Sequence, residues 1–156
     1  MPADREKKIA QALGGEADAI ILDLEDSVSE ANKPAARGVA ADAIRSASGH
    51  AAQIWVRINP LDSGMVGDDL AAIIGAKPHG VMLPKSERGG VMASRHAMLD
   101  CEEAKQDVTP GATALSAVAP ETAAILFGLG SYGASSDRLA ALTWGAEDLS
   151  AALGAS

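Results

Sequence analysis

The sequence predicts an α/β fold built on a parallel sheet, and three observations carry that prediction. Short apolar runs rich in β-branched residues begin at Ala19 (AIILDLED), Gln53 (QIWVRIN), Gly80 (GVMLPKS), Thr113 (TALSAVAPE) and Leu139 (LAALTWGAED), 26 to 34 residues apart. Helical segments fall between them. Each run is apolar at its start and chemically equipped at its finish. Strands and helices alternating at roughly 30 residues per unit require crossovers between parallel strands.

The helical segments follow in order. DREKKIAQAL opens with Asp4 as an expected N-cap and sets Ile9 and Leu13 on one face. NKPAARGVAADAIRS has Pro34 near its first turn and a stripe of Val39, Ala40, Ala43 and Ile44. DDLAAIIGA is short, with Gly75 as the expected C-cap. SERGGVMASRHAMLDCEEAK carries Val91, Met92, Met98 and Leu99, and ETAAILFGL supplies Ile125, Leu126 and Leu129. GLGSYGAS has the look of a phosphate-binding glycine loop but follows a helix, so it reads as a helix-ending turn. Trp55 and Trp144 are expected to pack between sheet and helices.

Composition bounds the function. The chain has 156 residues, 47% apolar and 22% charged, enough for one domain with a sizeable core and no linker. Its formal charge of -8 argues against nucleic acid and anionic membranes as partners. Aromatics at 3% offer no base-stacking platform. Cys101 is the only cysteine, which excludes an internal disulfide, suits a reducing cytoplasm, and reads as a bystander in the polar stretch LDCEEAK. No apolar run approaches the ~20 residues of a membrane span.

The strand ends hold the chemistry. They carry Asp23, Glu25 and Asp26, then Arg57 and Asn59, then Lys85, then Glu121, then Glu147 and Asp148. The carboxyl ends of parallel strands converge on one face, where ligands bind. Clustered carboxylates repel unless a cation or basic group sits among them, and a hard divalent cation, Mg²⁺, suits such oxygen donors. Helix capping accounts for any one of these acids, Asp26 or Asp148 included. It does not account for Arg57, set inside an apolar run, where a guanidinium needs an anionic partner. Lys85 either holds an anion or starts a loop. His50, His79 and His96 lack metal-ligand spacing and read as surface residues. Two architectures fit: an open doubly wound sheet, with a nucleotide-binding module as its functional reading, or a piece of a (β/α)₈ barrel. A complete barrel needs ~250 residues, so length alone favours the open sheet.

Specific segments then point elsewhere. GGEADAIILDLEDSV, KPAAR, VRINP, GVMLPKSE, a Glu-Thr-Ala at 121–123 and LTWGAEDLSAALGA occur in this order. They resemble the citrate lyase β-subunit-like branch of the HpcH/HpaI aldolase superfamily, which also holds malyl-CoA and related acyl-CoA lyases. The resemblance runs along essentially the whole chain, and LDLEDSV, VRINP and WGAEDL are its most specific pieces. It implies a (β/α)₈ barrel that binds Mg²⁺ and cleaves or forms a carbon–carbon bond beside a carboxylate, often on a CoA thioester. By resemblance, Glu121 and Asp148 match the metal-binding acids, with Glu121 also beside the substrate. Arg57 matches the arginine that grips a substrate carboxylate or carbonyl oxygen. Asp23, Glu25 and Asp26 would orient metal-bound waters and neighbouring side chains. No residue of the chain is identified as the general base.

The resemblance also implies an incomplete barrel over residues 1–156, about strands two to six of the family barrel. The chain opens at Met1-Pro2-Ala3-Asp4, where the family has a strand ending in a similar sequence, and it stops after Gly154, where further units follow in the family. That is the pattern of a truncated product, and it overturns the length argument for an open sheet. The expected partners are a small carboxylate or acyl-CoA substrate and further copies of the chain in a homo-oligomer. The alternative is a non-catalytic fragment or companion subunit with a vestigial metal site.

Overall fold

The computed structural model describes residues 1–84, 90–119, 129–133, 135–144 and 154, with the side chains of 90–93 and 95 outside the description. Helix α1 spans Glu6–Leu13, strand β1 Ala19–Asp23, α2 Lys33–Ser46, β2 Gln53–Arg57, α3 Val66–Ile73, β3 Gly80–Leu83, α4 Gly90–Lys105, β4 Ala114–Ala119 and β5 Leu139–Trp144. A short 3₁₀ turn, Leu129–Tyr132, precedes β5. The expected helix with Ile125 and Leu126 lies outside the described residues, while Leu129 opens that turn.

All four strand pairings are parallel, and the order is β1-β2-β3-β4-β5. This monotonic order decides the architecture. A doubly wound sheet reverses direction at a switch point and carries helices on both faces. Here each strand pairs with its successor, and α1 packs on α2, α2 on α3 and α3 on α4 in one layer. Same-handed crossovers repeated without reversal wind a barrel wall. The open sheet expected from length is therefore not found. The fold is a partial (β/α)₈ barrel.

Side-chain alternation explains what each sheet face does. Ile20 and Leu22 of β1, Ile54 and Val56 of β2, Val81 and Leu83 of β3, and Leu115 and Ala117 of β4 are buried. They form one core with Ile9, Ala36, Ala40, Ile44, Leu70, Ile73 and Leu99 of the helices. The intervening residues face the helix-free side, which becomes the lumen of a closed barrel. Ile21 there is 38% exposed, against 1% for its neighbour Leu22. Trp55 lies across Gly80, its partner in the β2–β3 register, and a Cβ at residue 80 would collide with the indole. Glycine at 80 makes room for that ring.

Residues 1–3 lie along the outer edge of β1. Pro2 bridges Asp23 in parallel, the Ala3 N–H donates to the Asp23 carbonyl at 2.9 Å, and the Asp23 N–H donates to the Met1 carbonyl at 2.8 Å.

At the amino-terminal end of the sheet, Arg138 just before β5 is clamped to Glu103 of α4. Its Nη1 donates to Glu103 Oε1 at 2.9 Å and to the Thr113 carbonyl at 3.0 Å, and its Nη2 donates to Glu103 Oε2 at 2.6 Å and to Asp100. Glu103 also accepts the Gly111 and Thr113 N–H groups, both at 2.9 Å. Burial alone would push this carboxyl up; the Arg138 and backbone hydrogen bonds overcome it and hold the pKa at about 2. Polar clusters at this end of a barrel serve stability.

Four local expectations are corrected. Asp4 caps no helix: Arg5 precedes α1 and makes no side-chain cap bond, while Asp4 accepts from Asn32 Nδ2 at 3.3 Å. Gly75 does not end α3, which tightens into a 3₁₀ turn, Ile74–Ala76, and stops at Lys77 in the left-handed region with φ 64°. Neither tryptophan packs between sheet and helices: Trp55 alternates with the buried Ile54 and Val56 and so stands on the helix-free face over Gly80, and Trp144, the last residue of β5, is 62% exposed. His96 is half-buried rather than a surface residue: its Nδ1 lies 3.0 Å from Ser136 Oγ, which ties α4 to the segment before β5.

Candidate active site

Asp23 is the last residue of β1, Arg57 the last of β2, and the two are register partners. Both therefore stand side by side on the helix-free face, at the carboxyl ends of their strands. Arg57 Nε donates to Asp23 Oδ1 at 2.8 Å and Nη2 to Oδ2 at 2.6 Å, a fork-on-fork pair. Its Nη1 lies 3.1 Å from Glu25 Oε2 and 3.9 Å from Asp26 Oδ2. The Glu25 and Ser27 N–H groups donate back to the Asp23 carboxylate at 2.9 and 3.3 Å, folding the LDLEDS loop over its own aspartate. Three carboxylates thus gather round one guanidinium.

The electrostatics follow from that packing. Burial would raise the Asp23 carboxyl, but hydrogen bonds from Arg57, Ser27 and the Glu25 backbone hold its pKa at about 2. The hydrogen bond to Asp23 raises Arg57 above the ordinary guanidinium value, and the charges of Asp23, Glu25 and Asp26 add to it. At neutral pH the Asp23–Arg57 pair is therefore an ion pair. The negative charge ending β1 is answered first by this built-in cation.

Behind the pair runs a second line of polar contacts inside the helix layer. Lys33 Nζ donates to the carbonyls of Leu24 and Glu25 at 2.7 and 2.8 Å and to Asn59 Oδ1 at 2.7 Å. Asn59 donates from N and Nδ2 to Asp69 Oδ2 at 2.8 and 2.7 Å, and Arg37 Nε donates to Asp69 Oδ1 at 2.7 Å. Asn59 is thus occupied in this joint instead of standing on the ligand face. Lys33, Arg37 and Asp69 were missed from sequence, although KPAAR carries a signal: a lysine and an arginine four residues apart share one helix face.

The structure brings Asp23, Glu25, Asp26 and Arg57 together. Lys85, Glu121, Glu147 and Asp148 lie outside the described residues. In sequence, Glu121 follows the last residue of β4 by two positions and Asp148 follows that of β5 by four. Among the described residues no three His, Cys, Asp or Glu side chains converge as a metal requires. Asp23 is committed to Arg57.

Ser136, His96 and Asp100 superficially form a nucleophilic triad. His96 Nε2 stands 3.6 Å from Asp100, too far for a hydrogen bond, and that carboxylate is already held by Arg138. The trio also lies near the amino-terminal end of the sheet, away from the catalytic face of such folds.

The structure is thus a (β/α) barrel wall with an arginine–carboxylate pair at the carboxyl ends of its first two strands. The family model for HpcH/HpaI aldolase/citrate lyase matches residues 1–156, and the chain belongs to that family. It is 39% identical over 158 aligned residues to a citrate lyase subunit beta-like protein of Mycobacterium tuberculosis, covering 99% of this chain and 49% of the relative. A (3S)-malyl-CoA thioesterase of Cereibacter sphaeroides is 37% identical over 86 residues, 54% of this chain and 30% of that protein. The crystal structure of CitE from Mycobacterium tuberculosis with magnesium and acetoacetate superposes with a TM-score of 0.67 at 35% identity, over 100% of this chain and 56% of that one. The chain spans about half the length of the curated relatives it matches, or less.

Proposed function

We propose that this chain carries the substrate-gripping part of a Mg²⁺-dependent carbon–carbon lyase acting on a small hydroxy- or oxo-acid or its CoA thioester. The observation that carries the reading is Arg57: a guanidinium at the mouth of the barrel wall, aligned bidentately by a carboxylate that stays ionised down to about pH 2. The residues around it match the family motifs LDLEDSV and VRINP.

In this reading Arg57 binds a substrate carboxylate by its Nη edge, where Glu25 and Asp26 are the ligands to be displaced or bridged. Asp23 fixes the plane of the guanidinium, so an incoming carboxylate meets a preset fork. Glu121 and Asp148, the acids that follow β4 and β5 in sequence, would hold Mg²⁺, which would supply Lewis-acid polarisation of a substrate oxygen and charge stabilisation. The relative complexed with magnesium and acetoacetate supports the cofactor and the substrate class.

Calorimetric titration of Mg²⁺ tests the ligand set. Glu121→Gln weakens binding at least tenfold if that carboxylate is a ligand, and unchanged affinity removes it. Incubation with Mg²⁺ and acyl-CoA thioesters, with product followed by mass, tests turnover. A second reading, a non-catalytic fragment or companion subunit, is favoured by the exposure of Ile21 on the helix-free face and of Trp144. Mg²⁺ binding without product supports that second reading.

A further inference from the structure

Lys33 is buried, and its three protons all go to neutral oxygens, those of Leu24, Glu25 and Asn59. An ammonium is a costly group to bury where a neutral donor would join the same carbonyls. Its surroundings give the charge a purpose. The carbonyls it holds belong to the loop whose side chains gather on Arg57, and that cluster has three carboxylates against one guanidinium.

The geometry is equally directed. Asn59 lies two residues beyond Arg57, and Leu24 and Glu25 directly follow Asp23. Lys33 therefore spans the two segments between which the Arg57 contacts form. Asn59 is fixed from the other side by Asp69, itself held by Arg37 one turn along α2 from Lys33. A shift of the β1 loop relative to the end of β2 would pull Glu25 from its 3.1 Å contact with Nη1.

We propose that Lys33 is a positioning residue: it locks the loop after β1 to the segment after β2, and so presents Arg57 in a fixed orientation to an anionic substrate group. The proposal rests on Arg57 being the group that binds the substrate anion.

The test uses the ¹⁵N-labelled chain and the Arg57 Nε–H signal, assigned by its loss in Arg57→Lys. In Lys33→Met that proton exchanges with water roughly tenfold faster or more, the protection of about one hydrogen bond to a charged group, while thermal unfolding stays cooperative. Asp69→Asn shifts exchange the same way by less. A folded Lys33→Met with unchanged exchange at Arg57 overturns the proposal. Failure of both variants to fold also overturns it, leaving a joint of stability alone. Titrating the parent chain with Mg²⁺ and pyruvate is a separate arm: an Arg57 signal that does not move removes the substrate-gripping reading, whatever the exchange rates show.

Discussion

Arg57 and Asp23 hold each other in two bonds, and acid is the lever that separates them. Asp23 has a folded-state pKa of about 2 against an ordinary 3.8, and Glu103 about 2 against 4.5. Depressed carboxyl values stabilise the fold above the unfolded-state pKa and lose that contribution as pH falls through the folded one. Stability from these two groups is therefore complete above about pH 4.5 and declines toward pH 2. Glu103→Gln leaves Arg138 with the half-exposed Asp100 in place of its buried bidentate partner and is expected to cost about 3 kcal/mol at neutral pH. It also flattens the acid limb, read by urea unfolding at several pH values. Asp23→Asn should cost less, about 1.5–3 kcal/mol, because Glu25 remains near Nη1. On the proposed function its larger effect falls on anion binding, seen as a weaker response of the Arg57 signal to pyruvate. The sequence announced that Arg57 needed an anionic partner but not which one, since that depends on the register placing residue 23 opposite residue 57.

Strands were the most legible elements. The apolar runs begin within one residue of all five observed strands, because β-branched runs buried against helices have few other conformations. Helix ends were less legible: Gly75 and Asp4 had the chemistry of caps, yet main-chain geometry at Lys77 and Arg5 ended or began the helices. The Trp55–Gly80 contact makes an element-scale prediction. Gly80→Ala forces its Cβ against the indole and should destabilise by about 1–3 kcal/mol. Trp55→Leu should relieve part of that, giving a coupling in a double-mutant cycle. Independent effects would show that the ring swings aside. Sheet sidedness is tested on adjacent residues: Leu22→Ala should cost about 2–5 kcal/mol, Ile21→Ala well under half as much, by the same unfolding measurement.

At the scale of the molecule, strand order separates the two architectures that chain length could not. Neither periodicity nor composition encodes the direction in which the sheet winds, which is why the family segments had to supply the barrel. The polar groups divide by height along its wall. Glu103 and Arg138 stitch the amino-terminal rim of β4 and β5, and Asp23, Arg57 and the Lys33 line gather at the carboxyl-terminal rim of β1 and β2. Mutations at the lower rim should lower the melting temperature without altering Arg57 exchange, a separation that one NMR experiment checks.

The Asp23–Arg57 pair joins the tips of consecutive strands within a single β–α–β repeat. Such a clasp is a self-contained part. Beyond Asp69 of α3, which braces it through Asn59, it draws on no later unit of the fold among the described residues, so the two strand tips stay yoked however the wall is continued.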